Sequence, residues 1–416
     1  MQNWSKTLTF SSSEVAEPCS VDELQKLTLD TPSLKAIGTK HSFSEVADTD
    51  GTHASLAKFD QFIELNPERG VVSVGAGVRY GELGDYLHKR GYALHNLASL
   101  PHISVIGACA TATHGSGNGN GNLGTAVRAM ELVTARGSAE VFSKETHGEQ
   151  FQGMIAHLGA LGIVTKVDLE VMPTYSVAQT IYERLKLAEL ERNFNAITGS
   201  AYSVSLFTTW RDNLVDQVWL KDKLIPNYPP RRDVEFYGAL AAQRKLHPIR
   251  ELDSTPCTDQ LGTPGAWHER LPHFRLSHTP SSGDEIQTEY FFSRHDAPEA
   301  IRRIFALGSE ITPVLFISEI RTVAADEQWL SPAYKNDRVG IHFTWKPDRE
   351  GVERVLPIIE AELADLNPIP HWAKVFRLDP EVVRSRYPRL KDFQELARDL
   401  DPRGKFRNNF LDRYVL

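Results

Sequence analysis

Short apolar runs, bounded by Gly-, Asn- and Pro-containing turns, recur along the first 173 residues and alternate with stretches whose apolar positions return every three or four residues. That pattern predicts strands and helices in alternation, an α+β or α/β arrangement. Ser20-Val21-Asp22-Glu23 has the form of a capping box, so a helix is expected from Val21 to about Leu27. Leu34 to Ile37 reads as a strand. Residues 55 to 65 and 71 to 75 read as two more, with the turn Asn66-Pro67-Glu68-Arg69-Gly70 between them. A helix carrying Leu83, Tyr86 and Leu87 on one side follows. Met130 to Ala135 and Ala139 to Ser143 predict a hairpin around Arg136-Gly137-Ser138. A helical segment from Glu149 to Leu158 then leads to an alternating strand, Thr165 to Val171, and Met172-Pro173 closes the block. Further along, strands are expected at Ser203–Trp210, Gln217–Leu220, Glu285–Phe292, Val314–Thr322 and Val339–Trp345, and helices at Ala297–Leu307 and Val352–Leu366. The proline-rich stretch Ile225 to Arg232 reads as a connection.

Composition narrows the class. A chain of 416 residues with 41% hydrophobic and 24% charged residues can bury two sizeable cores. A net charge of −8 argues against a nucleic-acid surface. No run approaches a membrane span, and Met1 to Phe10 lacks the basic start and apolar centre of a signal peptide, so a cytoplasmic location is expected. Cys19, Cys109 and Cys257 are far apart and odd in number, which disfavours a disulfide framework or a cysteine zinc site.

Two stretches of small residues stand out. The first is Gly38-Thr39-Lys40-His41-Ser42-Phe43, just past the Leu34–Ile37 strand. Its glycine and hydroxyl residues let backbone N–H groups approach an anion closely, and His41 sits inside the loop. An ordinary polar turn with a solvated histidine is the bland alternative. The second is Asn96 to Gly124, where large side chains nearly vanish after Gly107. Glycines at 115, 117, 119 and 121 keep the backbone thin enough for a flat ring or a pyrophosphate to lie against it. Ile103 to Thr113 is too apolar for a solvated loop, whereas Ser116 to Asn122 is compatible with one. Gly119 to Gly124 matches GxGxxG, but THGS precedes it in place of an apolar strand, so the dinucleotide fingerprint is discounted.

Polar residues inside apolar strands are the remaining signal. Glu319 and Arg321 stand two apart on one strand, and His342 and Thr344 two apart on another, so each pair shares a face. Lys374 lies on a third run, Trp372 to Phe376. Buried without partners, such groups are costly. They form either an ion-pair network, Glu319 with Arg321 or Lys374, or a site for a polar ligand. HERLPHF, with His268 and His273, suggests a metal site, but no carboxylate recurs at ligand spacing and a structural role is expected, with no metal.

GTKHSF, VGAGVRYGEL, ASLPHISVIG, ATHGSG and LGALGIVT occur in the order seen in flavin enzymes of the vanillyl-alcohol-oxidase fold. Within that fold the chain resembles the bacterial alditol (xylitol) oxidases and, more loosely, the aldonolactone oxidases. The resemblance continues through SAYSVSLFT, PGAWHERLPHF, TPSSG and EIRTVAADEQWLSPAY. It implies a two-domain α+β fold of the vanillyl-alcohol-oxidase/PCMH type: an FAD-binding domain over 1–173, a β-sheet-based substrate (cap) domain over 174–370, and a C-terminal return over 371–416. It implies FAD bound covalently through His41. Ala36, Ile37, Gly38, Thr39, Lys40 and Ser42 would surround the pyrophosphate. Ser99, Ser104, Gly107, Thr111, Ala112, Thr113 and His114 would follow the flavin and its phosphate arm, Gly162 and Ile163 would border the adenine side, and Lys374 would face the ring. Lys40 is a departure, standing where the family often has glycine. The resemblance carries Ser99, Glu319, Arg321, Thr344 and Lys374 as polyol ligands. Lys374 or His342 would be the base, with Arg321 and Lys374 stabilising the alkoxide. The implied reaction is oxidation of a terminal alcohol of an alditol to the aldose by a monomer, with O2 reduced to H2O2. Alternatives are an aldonolactone or oligosaccharide oxidase, a dehydrogenase of the same fold with another electron acceptor, and a carbohydrate-binding protein without flavin.

Overall fold

The computed structural model describes residues 1–225 and 230–416. Part of the expected Ile225–Arg232 connection, residues 226–229, lies outside the described residues. Leu34–Ile37 is a strand, as the pattern predicts, and it pairs in parallel with Thr52–Ser55, which pairs in parallel with Val15–Ala16. Parallel neighbours cannot be joined by a tight turn. The chain therefore leaves Ile37, makes a long excursion through residues 38–51, and returns. That excursion carries GTKHSF at the carboxyl end of a parallel strand, where α/β folds place their ligands.

A second sheet of five antiparallel strands has the order Ile63–Asn66, Val71–Gly75, Ile163–Glu170, Val127–Val133, Ala139–Ser143. The expected hairpin is its Val127–Val133/Ala139–Ser143 edge. The expected strand 55–65 is instead the ends of two strands, because Leu56 to Phe62 turns: Phe59 N donates to Leu56 O at 3.0 Å and Gly77 N to Phe59 O at 3.1 Å. Ser20 caps the first helix, accepting from Glu23 N, and the helix runs on to Asp30.

The middle of the chain builds a ten-stranded antiparallel sheet. Its centre has the order Ser176–Lys186, Leu214–Lys223, Ser203–Thr208, Leu315–Val323, Arg338–Trp345, Ile286–Ser293, with Ile369–Pro370 at one end. Ser176–Lys186 was not foreseen; its mixed SVAQTIYERLK pattern alternates too weakly to read as a strand, yet it pairs with Leu214–Lys223 over nearly its whole length. Helices Ala297–Ala306 and Arg349–Glu362 end earlier than the apolar periodicity suggested. Beyond Ile369–Pro370 the chain packs on the first block: Phe43 N donates to Ala373 O (2.7 Å), Ser44 Oγ to Trp372 O (2.6 Å) and Leu34 N to Lys405 O (3.0 Å). One apolar cluster runs through all three stretches, from Leu24 and Val167 to Leu206, Phe343 and Phe393. Among the described residues no helix is long and apolar enough to cross a membrane.

The Ser116–Asn122 loop is not solvated. Ser116, Asn120 and Asn122 are buried. Ser116 Oγ donates to Val204 O, Gly117 N to Thr322 O (3.0 Å) and Asn120 Nδ2 to Tyr202 O (3.2 Å), so this stretch ties the first block to the large sheet. Asn122 Oδ1 accepts from Gly124 N, opening a short 3-10 turn at Leu123–Ala126; there is no strand–turn–helix at GxGxxG.

Candidate active site

The excursion after Ile37 is pinned from three sides. Trp4 N donates to Lys40 O (2.9 Å), Ser104 N to Thr39 Oγ1 (3.1 Å) and Phe43 N to Ala373 O (2.7 Å). A Cβ on Gly38 would lie 2.7 Å from Ser104 Oγ, so glycine is what lets the two small-residue stretches meet. His41 lies at this junction with its ring stacked on Trp4 at 5.1 Å. Both its ring nitrogens are buried and, among the described residues, neither has a partner in hydrogen-bond geometry. Burial, with His102 adding to it, pulls the imidazole down to about 4, so it is neutral at physiological pH. An imidazole left this way is a nucleophile with nothing to spend itself on in the protein.

A floor of polar groups faces the same cleft from the large sheet. Register makes it. Glu289, His342 and Glu319 are cross-strand partners, one row over three adjacent strands, with Phe207 as the fourth member. Gln287 and Thr344 form the next row, and Arg321 stands two residues from Glu319 on the same face. Arg321 Nη2 donates to Glu289 Oε1 (2.9 Å) and Nη1 to Ser99 Oγ (3.3 Å). Its Nε lies 3.5 Å from Glu319 Oε2, beyond a good hydrogen bond, and is a buried donor without a partner. His342 Nε2 is 3.2 Å from Thr344 Oγ1, and its Nδ1 is 3.5 Å from Glu289 Oε2. Gly340 leaves room for this: a Cβ there would lie 3.0 Å from Glu289 Oε1. Burial alone would push the Glu289 and Glu319 carboxyls up, but Arg321 and the neighbouring histidines more than offset it and hold both well below the ordinary carboxylate range.

The model of an FAD binding domain matches residues 13–143, and that of D-arabinono-1,4-lactone oxidase matches residues 283–414. The chain is 44% identical to an alditol oxidase from a Streptomyces species, with 98% of this chain and 97% of the relative covered. It belongs to the alditol oxidase family. It is therefore an FAD-dependent oxidoreductase of the vanillyl-alcohol-oxidase/PCMH type. An L-gulono-1,4-lactone dehydrogenase from Mycobacterium tuberculosis is 25% identical over 99% of this chain and 98% of its own length. A cholesterol oxidase structure from B. sterolicum shares the fold, with a TM-score of 0.79 at 14% identity over 100% of this chain and 96% of that one.

Most of the residues singled out in the sequence line one continuous cleft in this alditol oxidase relative: Ala36 to Ser42, Ser99, Ser104, Gly107, Thr111, Thr113, His114 and Gly162 on one side, and Glu319, Arg321, His342, Thr344 and Lys374 on the other. Ala112 and Ile163 do not. Ala112 is turned inward at φ +53° into the apolar core, and Ile163 is a buried strand residue opposite Val133. His114 is spent within the protein, its Nε2 3.1 Å from Glu289 Oε1 and its Nδ1 2.8 Å from Gly115 O. Trp372 to Phe376 is no strand; Lys374 reaches the site from a turn, where Lys374 N donates to His371 O (3.0 Å) and Val375 N to Gln287 O (2.9 Å). Lys374 Nζ bonds Gln287 Oε1 and lies 5.0 Å from the centre of the Phe43 ring. It faces the cleft, so part of its surface is open, but the protein around it pulls it down to about 8, against the pull of Glu289.

Glu289, Gln287, His273 and His371 also face the cleft and were missed. A signal for the first two was present: Gln287 and Glu289 stand two apart on an expected strand, the same spacing that flagged Glu319 and Arg321. His273 was set aside as structural, yet its Nε2 is 2.7 Å from Glu319 Oε1. Its companion His268 packs elsewhere, against His88 and Trp267. His114, Glu289 and His371 offer ligand atoms within 4.8 Å of one another, but Arg321 already holds the shared Glu289 oxygen.

Lys40, the departure from the family's glycine, has φ +60°. The backbone is in the left-handed conformation there and the lysine bears the strain, about 1 kcal/mol or more. Lys40→Gly is expected to fold with undiminished stability, whereas Lys40→Val, β-branched, should lose about 1–2 kcal/mol. Urea unfolding midpoints of the two variants check this.

Proposed function

We propose that this enzyme oxidises the terminal alcohol of an alditol such as xylitol or sorbitol to the aldose, with FAD attached covalently to His41 and O2 as electron acceptor. The observation that carries the substrate class is the pairing of an unmet donor with an unmet acceptor on the floor of the cleft. Among the described residues Arg321 Nε–H has no hydrogen-bond partner, and of the Glu319 oxygens only Oε1 accepts a hydrogen bond, leaving Oε2 next to Arg321 open. A hydroxyl both accepts and donates, so one hydroxyl satisfies both groups. Ser99, Thr344 and Lys374 extend the same offer along the cleft. A substrate rich in hydroxyls and poor in apolar surface fits such a floor, because an analogue lacking a hydroxyl would leave buried polar groups unpaired.

His41 supports the covalent attachment: it lines the cleft beside Gly38 and Ser104 as a neutral imidazole whose buried ring nitrogens make no hydrogen bond among the described residues. FAD, when bound, would supply the two-electron acceptor for the alcohol's hydride and the route by which O2 is reduced to H2O2. His342 is the base in this reading. Burial holds its imidazole neutral, and with a proton on Nδ1 facing Glu289, Nε2 exchanges its 3.2 Å contact with Thr344 Oγ1 for the substrate hydroxyl and takes that proton while the carboxylate steadies the imidazolium. Lys374 and Arg321 bear the positive charge that the forming alkoxide needs. Residues 1–173 and 371–416 would hold the cofactor and 174–370 would form the cap over the substrate.

Two measurements test the proposal. Acid-precipitated wild-type protein should stay yellow and His41→Ala protein should not; colour retained by the variant removes His41 from the linkage. Air-equilibrated enzyme should release H2O2 with xylitol or sorbitol. Turnover of L-gulono-1,4-lactone in their place, without peroxide, would favour a lactone dehydrogenase, the activity named for the Mycobacterium tuberculosis relative.

A further inference from the structure

Glu319 is the acceptor half of the hydroxyl-reading pair, and this inference rests on that reading. One of its oxygens is already taken: His273 Nε2 lies 2.7 Å from Oε1. Behind His273 stands Lys221, fully buried on the Leu214–Lys223 strand. Its Nζ bonds Leu271 O, donates to Pro272 O (3.2 Å) and lies 2.9 Å from His273 Nδ1. We propose that Lys221 and His273 are positioning residues, a relay that fixes the His273 tautomer and thereby holds Glu319 as a one-sided acceptor for a substrate hydroxyl.

Proton placement along the relay is forced from the Glu319 end. An ionised carboxylate can only accept, so the hydrogen must be on His273 Nε2. The ring is neutral, since burial and the adjacent Lys221 push it down to about 4, and Nδ1 must then be an acceptor. Lys221 therefore donates to it. All three groups around Nζ are acceptors; burial pulls Lys221 down to about 7, against the pull of Glu319, so near neutral pH Nζ carries two or three hydrogens, and either form donates to Nδ1. With Oε1 occupied, Glu319 cannot turn its unused lone pairs away from the cleft, and Oε2 is presented beside Arg321 Nε. The walls at this end are apolar: Phe207, Ile249, Phe274 and Ile317 line the cleft around His273. Among the described residues His273 is the side chain that donates a hydrogen bond to the Glu319 carboxylate; Arg321 Nε, 3.5 Å from Oε2, and His247, which also lines the cleft, do not.

A packing role makes the opposite forecast from a relay role, and this separates them. His273 sits edge-on to Phe207 at 5.4 Å and to Trp219 at 5.2 Å. If packing were its task, His273→Phe would substitute well and His273→Gln poorly. The relay needs a donor aimed at Glu319, which Gln supplies and Phe does not. The expected result is that His273→Phe raises the KM for xylitol about tenfold or more, with kcat within about threefold of wild type, and that His273→Gln recovers most of the loss. His273→Phe matching wild type, or Gln faring no better than Phe, would overturn the relay. Nitrogen-15 NMR of the histidine-labelled wild-type enzyme tests it without turnover: His273 should be a neutral Nε2–H ring near pH 7.5, shifting in Lys221→Met, and an Nδ1–H ring would overturn the relay. A wild-type enzyme that oxidises no polyol yet shows that tautomer would remove the substrate reading and leave the relay standing.

Discussion

Arg321→Met is expected to destabilise the protein by about 3–5 kcal/mol at neutral pH and to lower kcat/KM about 10²–10³-fold. Among the described residues the guanidinium is the one cation in contact with both Glu289 and Glu319. Removing it leaves two buried carboxylates facing a methionine, an uncompensated charge pair and not merely a lost contact. The pH dependence has a definite sign. In the wild type both carboxyls are held below their ordinary values, so their contribution to stability is complete above the unfolded pKa and is lost as pH falls through the folded values. In the variant only the histidine contacts still oppose burial, so both carboxyls should rise from their wild-type values. The stability they lose relative to the wild type then grows as pH increases. The difference between variant and wild type should be largest at pH 7–8 and shrink toward pH 5, near the unfolded carboxylate range of about 4.3. Urea midpoints at pH 5 and 7.5 measure it, and an equal difference at both would mean that Arg321 contributes by packing alone.

That network was half legible in the sequence. Period two placed Glu319 with Arg321 and His342 with Thr344 on single faces, and the structure keeps each pair together. What period two could not supply was register. Which residue of one strand stands opposite which residue of the next is decided by long-range pairing, and that pairing brings Glu289 to His342 and His342 to Glu319. The ion-pair reading holds in part: Arg321 faces Glu319, but loosely at 3.5 Å, and makes its tighter contact, 2.9 Å, with Glu289. Lys374 reads as part of a strand-like run, Trp372 to Phe376. In fact it sits on a turn that only the return of the chain to the first block could position. The Ser116–Asn122 loop misled for a related reason: Gly/Asn-rich composition reports the absence of bulky side chains, which serves a solvated loop and a loop threaded between two sheets equally well.

The pH profile of turnover distinguishes the two candidate bases. Lys374 titrates at about 8 in the free enzyme because burial outweighs the attraction of Glu289. If its ammonium stabilises the developing alkoxide, kcat/KM should fall with an apparent pKa near 8 as that proton is lost. If the Lys374 amine were the base, kcat/KM would instead rise through the same pH. His342 is held below its ordinary value of 6.5, so as base it is already unprotonated at neutral pH and limits the rate only on the acid side. The expected profile is a plateau bounded by an acid limb below 6.5 and an alkaline limb near 8. Lys374→Arg should carry the alkaline limb out of the measurable range, since a guanidinium stays charged to about pH 12 or beyond. Lys374→Met should lower the plateau about 10²-fold and abolish the alkaline limb altogether. An alkaline limb that persisted unchanged in Lys374→Met would have to come from another group, and Lys374 would then lose its place beside the alkoxide.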